Sequence, residues 1–151
     1  MNRQGPPPAV AERWEELLED AEATAAEYAE NGWRTVLVDV GDVTPLSDDP
    51  FGLDVLAPGD VVETLEALLE EVTFDTSQVY RAEDGGARFY IIVTEASEDG
   101  VAVVVPAYLS IDEADPLAAR AEREGVMYTH VRPLSGDRRV TFSHDDPGLF
   151  F

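Results

Sequence analysis

The side chains best suited to chemistry lie close to the C-terminus. His130 and Arg132 are two residues apart, as side chains on one face of a strand are, and Arg139 lies in the next predicted strand. Guanidinium groups bind carboxylates and phosphates through paired hydrogen bonds, and an imidazole adds a further donor. If the two strands bring these three residues to one face, we expect an anion-binding site at His130, Arg132 and Arg139.

The turn between the two strands, over residues 126–134 and 138–144, decides whether that site exists. A two-residue turn at Gly136-Asp137 suits type II′ geometry, which favours glycine first, and pairs Ser135 with Arg138. We favour this register because it separates apolar from polar side chains cleanly. The core face then carries Met127, Val131, Val140, Phe142 and His144, and the other face carries Tyr128, His130, Arg132, Arg139, Thr141 and Ser143.

A three-residue turn would exchange the two faces of the second strand. His130 and His144 would then lie diagonally on one face, close to Asp146. Two histidines and one carboxylate are a common ligand set for transition metals. This alternative register therefore predicts a metal site at His130, His144 and Asp146. A third outcome is a solvated face whose arginines pair with local carboxylates, which is common for a polar strand face.

The composition restricts the classes of function. The chain has 151 residues with 32 Asp and Glu against 10 basic residues, all of them arginine, which gives a net charge of -22. Nucleic-acid binding is excluded because it needs clustered basic residues. No cysteine is present, so thiol catalysis and cysteine-bound zinc are excluded as well. The common phosphate-loop, serine-hydrolase and zinc-protease motifs are missing, and we therefore expect no cofactor.

These exclusions favour a small non-catalytic binding or protein-interaction module over an enzyme. The alternative is a small enzyme or ligand sensor that acts on an anionic metabolite through the C-terminal hairpin. The apolar tail supports an interaction, since the chain ends on Leu149, Phe150 and Phe151. Such residues must be buried in the core, docked on a partner subunit, or continued in a longer chain. We expect self-association, with these three residues as the candidate interface.

A lysine-free, acidic surface on an ordinary apolar core resembles the cytoplasmic proteins of salt-accumulating halophilic archaea. The resemblance implies a cytoplasmic protein that folds at high salt, where screening suppresses repulsion between carboxylates. We expect no association with membranes, because the longest uncharged apolar stretch, residues 100–111, is too short to span a bilayer. The negative charge is uneven: residues 1–114 carry a net -21 and residues 115–151 a net -1.

The elements that position the candidate site follow from hydrophobic periodicity. A leader over residues 1–8 is expected to be flexible, and one domain covers residues 9–151. The predicted elements are a long helix ending at Gly32, an interior strand over residues 33–40, an irregular acidic connection over 41–59 that hides at most one short strand, a helix starting at Asp60, strands over 77–83, 87–96 and 101–109, and a helix from Asp115 to Gly125.

Together these elements predict an α+β fold with a mainly antiparallel sheet of five to six strands and three helices. The order of elements resembles a profilin-like or roadblock-like layout. The carboxylates of the acidic connection could ligate a divalent cation through oxygen, but in so acidic a chain a solvated surface explains them better.

Overall fold

Three α-helices, eight strands and one 3-10 turn make up the part of the chain that the structure describes. The structure is a computed structural model that covers residues 8–135 and 137–151, with side chains from residue 11 onward. The elements are α1 (Pro8–Glu30), β1 (Arg34–Leu37), β2 (Asp42–Leu46), β3 (Gly52–Leu56), α2 (Gly59–Glu71), β4 (Thr76–Asp84), β5 (Ala87–Ala96), β6 (Val101–Ser110), α3 (Ile111–Glu124), β7 (Met127–Arg132), β8 (Val140–His144) and the 3-10 turn Pro147–Leu149. The predicted leader falls largely outside the described residues.

The strands form two sheets of four rather than one larger sheet. The meander sheet has the order β1-β6-β5-β4, and the C-terminal sheet has the order β2-β3-β7-β8. Each sheet is mixed, because β1 pairs with β6 in parallel and β3 pairs with β7 in parallel, while the other neighbours are antiparallel. The α+β class with three helices is confirmed. The predicted single, mainly antiparallel sheet of five to six strands is not matched, since the eight strands divide into two mixed sheets.

The acidic connection is the origin of that error. Residues 41–59 contain the hairpin β2–β3, which supplies half of the C-terminal sheet. Its aspartates and prolines have low strand propensity, yet Val43, Leu53 and Val55 are buried in the main core. Burial of these side chains therefore outweighs local propensity, as it often does in strands.

The hydrophobic pattern of β1 also predicts the wrong position for this strand within its sheet. Apolar side chains on both of its faces predict an interior strand, but β1 lies at the edge of the meander sheet. Both faces are apolar because α1 covers one side of this sheet and the main core covers the other. Two-sided burial thus reflects the layers above and below a strand, not its neighbours within the sheet.

Several local predictions are confirmed. The long helix ends in a left-handed glycine cap, since Gly32 has φ 88° and the Trp33 amide donates to the Tyr28 carbonyl at 3.0 Å. The three-strand meander also forms as expected. Its first hairpin closes with the two glycines Gly85 and Gly86, both at positive φ, as a type I′ turn requires.

Two helix starts differ from the prediction. The expected cap at Asp60 is absent, because α2 begins at Gly59 with Pro58 preceding it and no side-chain cap. The last helix begins at Ile111, a full turn before the expected Asp115, and Pro116 lies within it. Its predicted end is confirmed, with Gly125 in the left-handed conformation.

Candidate anion-binding face

The pairing of β7 with β8 fixes which side chains share a face. Met127 pairs with His144, and Val131 pairs with Val140. Compared with the register of a two-residue turn, the observed pairing is shifted by two residues. Because side chains alternate between the faces along a strand, a shift of two keeps every side chain on its predicted face. The connection between the strands is longer than predicted, because β7 ends at Arg132 and β8 begins only at Val140. Gly136, within this connection, lies outside the described residues. The favoured division into a core face and a polar face is confirmed.

The alternative register is wrong. His130 lies on the outer face of the C-terminal sheet, the face that carries Asp54 and Arg132, whereas His144 lies on the core face. The two imidazoles therefore point to opposite sides of the sheet and do not converge with Asp146. Among residues 8–135 and 137–151, no three His, Cys, Asp or Glu side chains are arranged to hold a metal ion.

Asp54 lies at the centre of the outer face, although nothing in its local sequence marks it as part of a site. It lies in β3 directly opposite His130 in β7 and is only 6% exposed. Its Oδ2 accepts a hydrogen bond from Arg132 Nε at 2.7 Å. The guanidinium of Arg139 also approaches it, with Nη2 at 3.9 Å from Oδ1. Two of the three predicted anion-binding residues therefore converge on a carboxylate of the chain itself.

One oxygen of this buried carboxylate is left without a hydrogen bond. Asp54 Oδ1 is inaccessible to solvent and has no hydrogen-bond partner among the described residues. The 3.9 Å separation from Arg139 is an ion pair but exceeds hydrogen-bond length. Both arginine side chains keep 37% of their surface exposed, so each is partly accessible to solvent.

His130 is more deeply buried than the two arginines. It is 2% exposed, with Nε2 at 2.8 Å from the Phe51 carbonyl oxygen and Nδ1 at 2.9 Å from the Thr141 hydroxyl. The carbonyl can only accept, so Nε2 carries a proton, and in the neutral ring Nδ1 accepts from the Thr141 hydroxyl. Burial lowers the pKa of His130, and the nearby charge of Arg139 lowers it further. The neutral ring is thus occupied on both sides, and it supports the face instead of donating to a ligand.

A second buried histidine has a serine and a threonine as partners. His144 Nδ1 lies 2.7 Å from Ser77 Oγ, and Nε2 lies 2.9 Å from Thr129 Oγ1. Ser77 belongs to β4 in the other sheet, and no local sequence signal links it to His144. Burial lowers the pKa of His144 to about 4. Such a weak base is poorly matched to proton transfer near neutral pH, which argues against a serine nucleophile here.

The low pKa of His144 predicts a loss of stability in mild acid. The unfolded chain binds a proton at this residue near pH 6.5, whereas the folded chain does so near pH 4. Stability is therefore lost as the pH falls through this window, by about 3 kcal/mol in total. Urea unfolding at high salt between pH 7 and pH 4 measures the effect, with His144→Gln as the comparison. An equal pH dependence in both proteins would contradict the assignment.

Comparison with known families identifies the relatives of this chain. A family model, described as a family of unknown function (DUF7529), matches residues 4–151. The chain belongs to DUF7529. No curated protein and no solved structure matches it. Within the described residues, no helix of this DUF7529 member is long and apolar enough to cross a membrane.

The near-neutral C-terminal quarter of this DUF7529 member is explained by ion pairs with the rest of the chain. Four of its five arginines reach acidic residues earlier in the chain. Arg120 contacts Asp49, Arg138 contacts Glu66, and Arg132 and Arg139 contact Asp54. The uneven charge along the sequence therefore becomes a set of local pairs in the fold.

The apolar tail folds back onto its own chain. Phe150 is fully buried in the main core, and its carbonyl oxygen accepts a hydrogen bond from the Tyr90 hydroxyl at 2.9 Å. Leu149 and Phe151 are partly buried and pack against the same core. Phe150 is thus a core residue and not a docking residue, which corrects that part of the predicted interface. Self-association itself remains a prediction.

Proposed function

We propose that this DUF7529 protein is a small non-catalytic interaction module that self-associates in the cytoplasm of an organism with high internal salt. The observation that carries the proposal is the free edge of the meander sheet. The strand β4 has nine consecutive residues paired to β5 on one side, and none of the strands within residues 8–135 and 137–151 pairs with its other side. Extended free edges are sites where a second strand adds, unless they are blocked.

The edge of β4 lacks two of the features that commonly block an edge, a proline and a β-bulge. Its nine residues contain no proline, and the pairing runs without a bulge from Thr76 to Asp84. Tyr80 near the middle of the strand is 53% exposed. Two copies of β4 placed antiparallel about Tyr80 form a twofold, self-complementary interface. In that arrangement Ser77 meets Glu83 of the other copy and Val79 meets Arg81, so no two like charges lie directly opposite each other.

In an antiparallel strand at an edge, backbone N–H groups point alternately toward the neighbouring strand and away from the sheet. This alternation identifies the position in β4 at which pairing through the free edge can be tested. Counting from the hairpin-closing pair of Asp84 and Ala87, the N–H of every second residue bonds to β5, and the N–H of Arg81 faces away from the sheet. Proline at this position removes an outward donor while leaving the internal ladder intact. The side chain of Arg81 is exposed, so its loss leaves the core unchanged.

Arg81→Pro is expected to convert a dimer to a monomer in molar KCl. Light scattering coupled to gel filtration measures the change against the monomer mass of 16.5 kDa. Arg81→Ala is the matched control, because it removes the same side chain but keeps the edge donor, and it should remain dimeric. A monomeric wild-type protein, or a dimer that survives the proline, contradicts pairing through β4.

A second candidate function is the binding of a small anionic ligand at the outer face of the C-terminal sheet. It is favoured by the two half-exposed guanidiniums of Arg132 and Arg139, which leave donors free on a chain that is otherwise strongly acidic. Titration with potassium acetate in molar KCl, followed through the arginine Nε–H signals in NMR spectra, tests it. Saturable shifts are expected in the wild type, and none after Arg132 and Arg139 are both replaced by Gln.

A further inference from the structure

We infer that Asp54, Arg132 and Arg139 form a site for one small monoanionic carboxylate, in which Asp54 is a positioning residue for the two guanidiniums. This inference rests on the second function proposed above, the binding of an anion. It adds the charge and chemical class of the ligand, and it assigns a role to a buried carboxylate that binds no ligand itself.

The charge balance of the cluster determines how much negative charge it accepts. Arg132 and Arg139 carry one positive charge each, Asp54 carries one negative charge, and His130 is held neutral by burial. One positive charge remains. A monoanion neutralises it, whereas a dianion would leave surplus negative charge beside a chain of net charge -22.

The free donors of the arginines match a carboxylate. Arg132 uses Nε for Asp54, and its Nη1 lies 3.5 Å from the Pro133 carbonyl oxygen, so Nη2 makes no hydrogen bond to the residues that the structure describes. Arg139 donates no hydrogen bond to any of the described residues, and the carboxylate with which it forms an ion pair among them is that of Asp54, at 3.9 Å. Each guanidinium group is a planar fork of N–H donors that matches the two oxygens of a carboxylate.

The unpaired oxygen of Asp54 shows that one donor is missing from the cluster. A buried carboxylate oxygen with no donor is destabilising, and Arg139 is the group positioned to supply one. The positive charge of Arg132, which is bound to the same carboxylate, repels Arg139 and opposes its closer approach to Asp54 Oδ1. An anion between the two arginines cancels the repulsion, so Arg139 is expected to close from 3.9 Å to hydrogen-bond distance of Oδ1.

The variant Asp54→Asn separates this arrangement from a merely positive patch. The substitution raises the local charge by one, so an electrostatic patch would bind acetate more tightly. A site that depends on Asp54 to hold the guanidiniums loses affinity, by about tenfold or more, since a hydrogen bond to a charged group is worth that factor. The measurement is the acetate titration in molar KCl, with potassium sulfate as the competing anion class and thermal unfolding as the check on folding.

Arg138→Gln is the matched control. Arg138 neighbours Arg139 in sequence but pairs with Glu66, so its loss should leave acetate binding unchanged. If Asp54→Asn does not fold, Arg139→Lys serves instead, because it keeps the charge and removes the planar fork. We expect that variant to lose affinity by a similar factor, whereas a charge-only site would retain it.

The outcomes separate the inference from the function on which it rests. No saturable binding of either anion to the wild type overturns both. Saturable binding with sulfate preferred over acetate, or tighter binding by Asp54→Asn, leaves anion binding intact and overturns the carboxylate assignment and the positioning role. A preference for acetate that is lost in Asp54→Asn and kept in Arg138→Gln supports the whole inference.

Discussion

Phe150→Ala is expected to lower the free energy of unfolding by about 3–5 kcal/mol, the range for truncating a fully buried phenylalanine. The ring is completely buried although it is the penultimate residue of the chain. It packs against His144 and Tyr90, with ring centroids 5.0 and 5.6 Å away. Truncation leaves a cavity between the two sheets that these large neighbours fill only partly.

Leu134→Ala is the matched control for Phe150→Ala. Leu134 is 83% exposed, so its truncation should change the stability by less than about 0.5 kcal/mol. Chemical unfolding at high salt measures both variants, and light scattering reports their assembly. If Phe150→Ala leaves stability unchanged but dissociates an oligomer, the tail docks on a partner subunit and its place in its own core is wrong.

Lowering KCl from molar concentration to about 0.1 M is expected to destabilise the protein strongly, because the Debye length grows from about 3 Å to about 10 Å. Repulsion then returns among the carboxylates of a chain with net charge -22. Compact states that carry a large net charge are destabilised in this way. We expect the melting temperature to fall by roughly 10 °C or more, the shift that a loss of several kcal/mol produces in a domain of this size.

Substitutions in α1 test directly whether repulsion between carboxylates causes the loss of stability at low salt. Four glutamates on its exposed surface can be replaced by glutamine together without touching the core: Glu12, Glu15, Glu19 and Glu22. This variant should lose less stability at low salt than the wild type, since fewer like charges repel. A melting temperature that is unchanged or higher in dilute buffer would contradict the high-salt habitat, as would a variant with undiminished salt dependence.

The sequence by itself determined the features that depend on neighbouring residues. The cap at Gly32, the two-glycine hairpin at Gly85 and the division of the last hairpin into two faces all follow from local conformational preference or from the alternation of side chains. The faces were predictable even though the turn was longer than expected, because an even change of register preserves them. Arg132 and Arg139 could therefore be assigned to one face before the pairing was known.

Only the tertiary structure decided which elements meet. Asp54 lies 78 residues before Arg132, and Ser77 lies 67 residues before His144, so no periodicity in the chain links either pair. The second sheet was hidden because the propensity of its β2–β3 hairpin is low and only its partner β7 stabilises it. Burial of Phe150 was undetermined for the same reason: an apolar terminus is stabilised equally by its own core or by another surface, and three-dimensional packing selects between them.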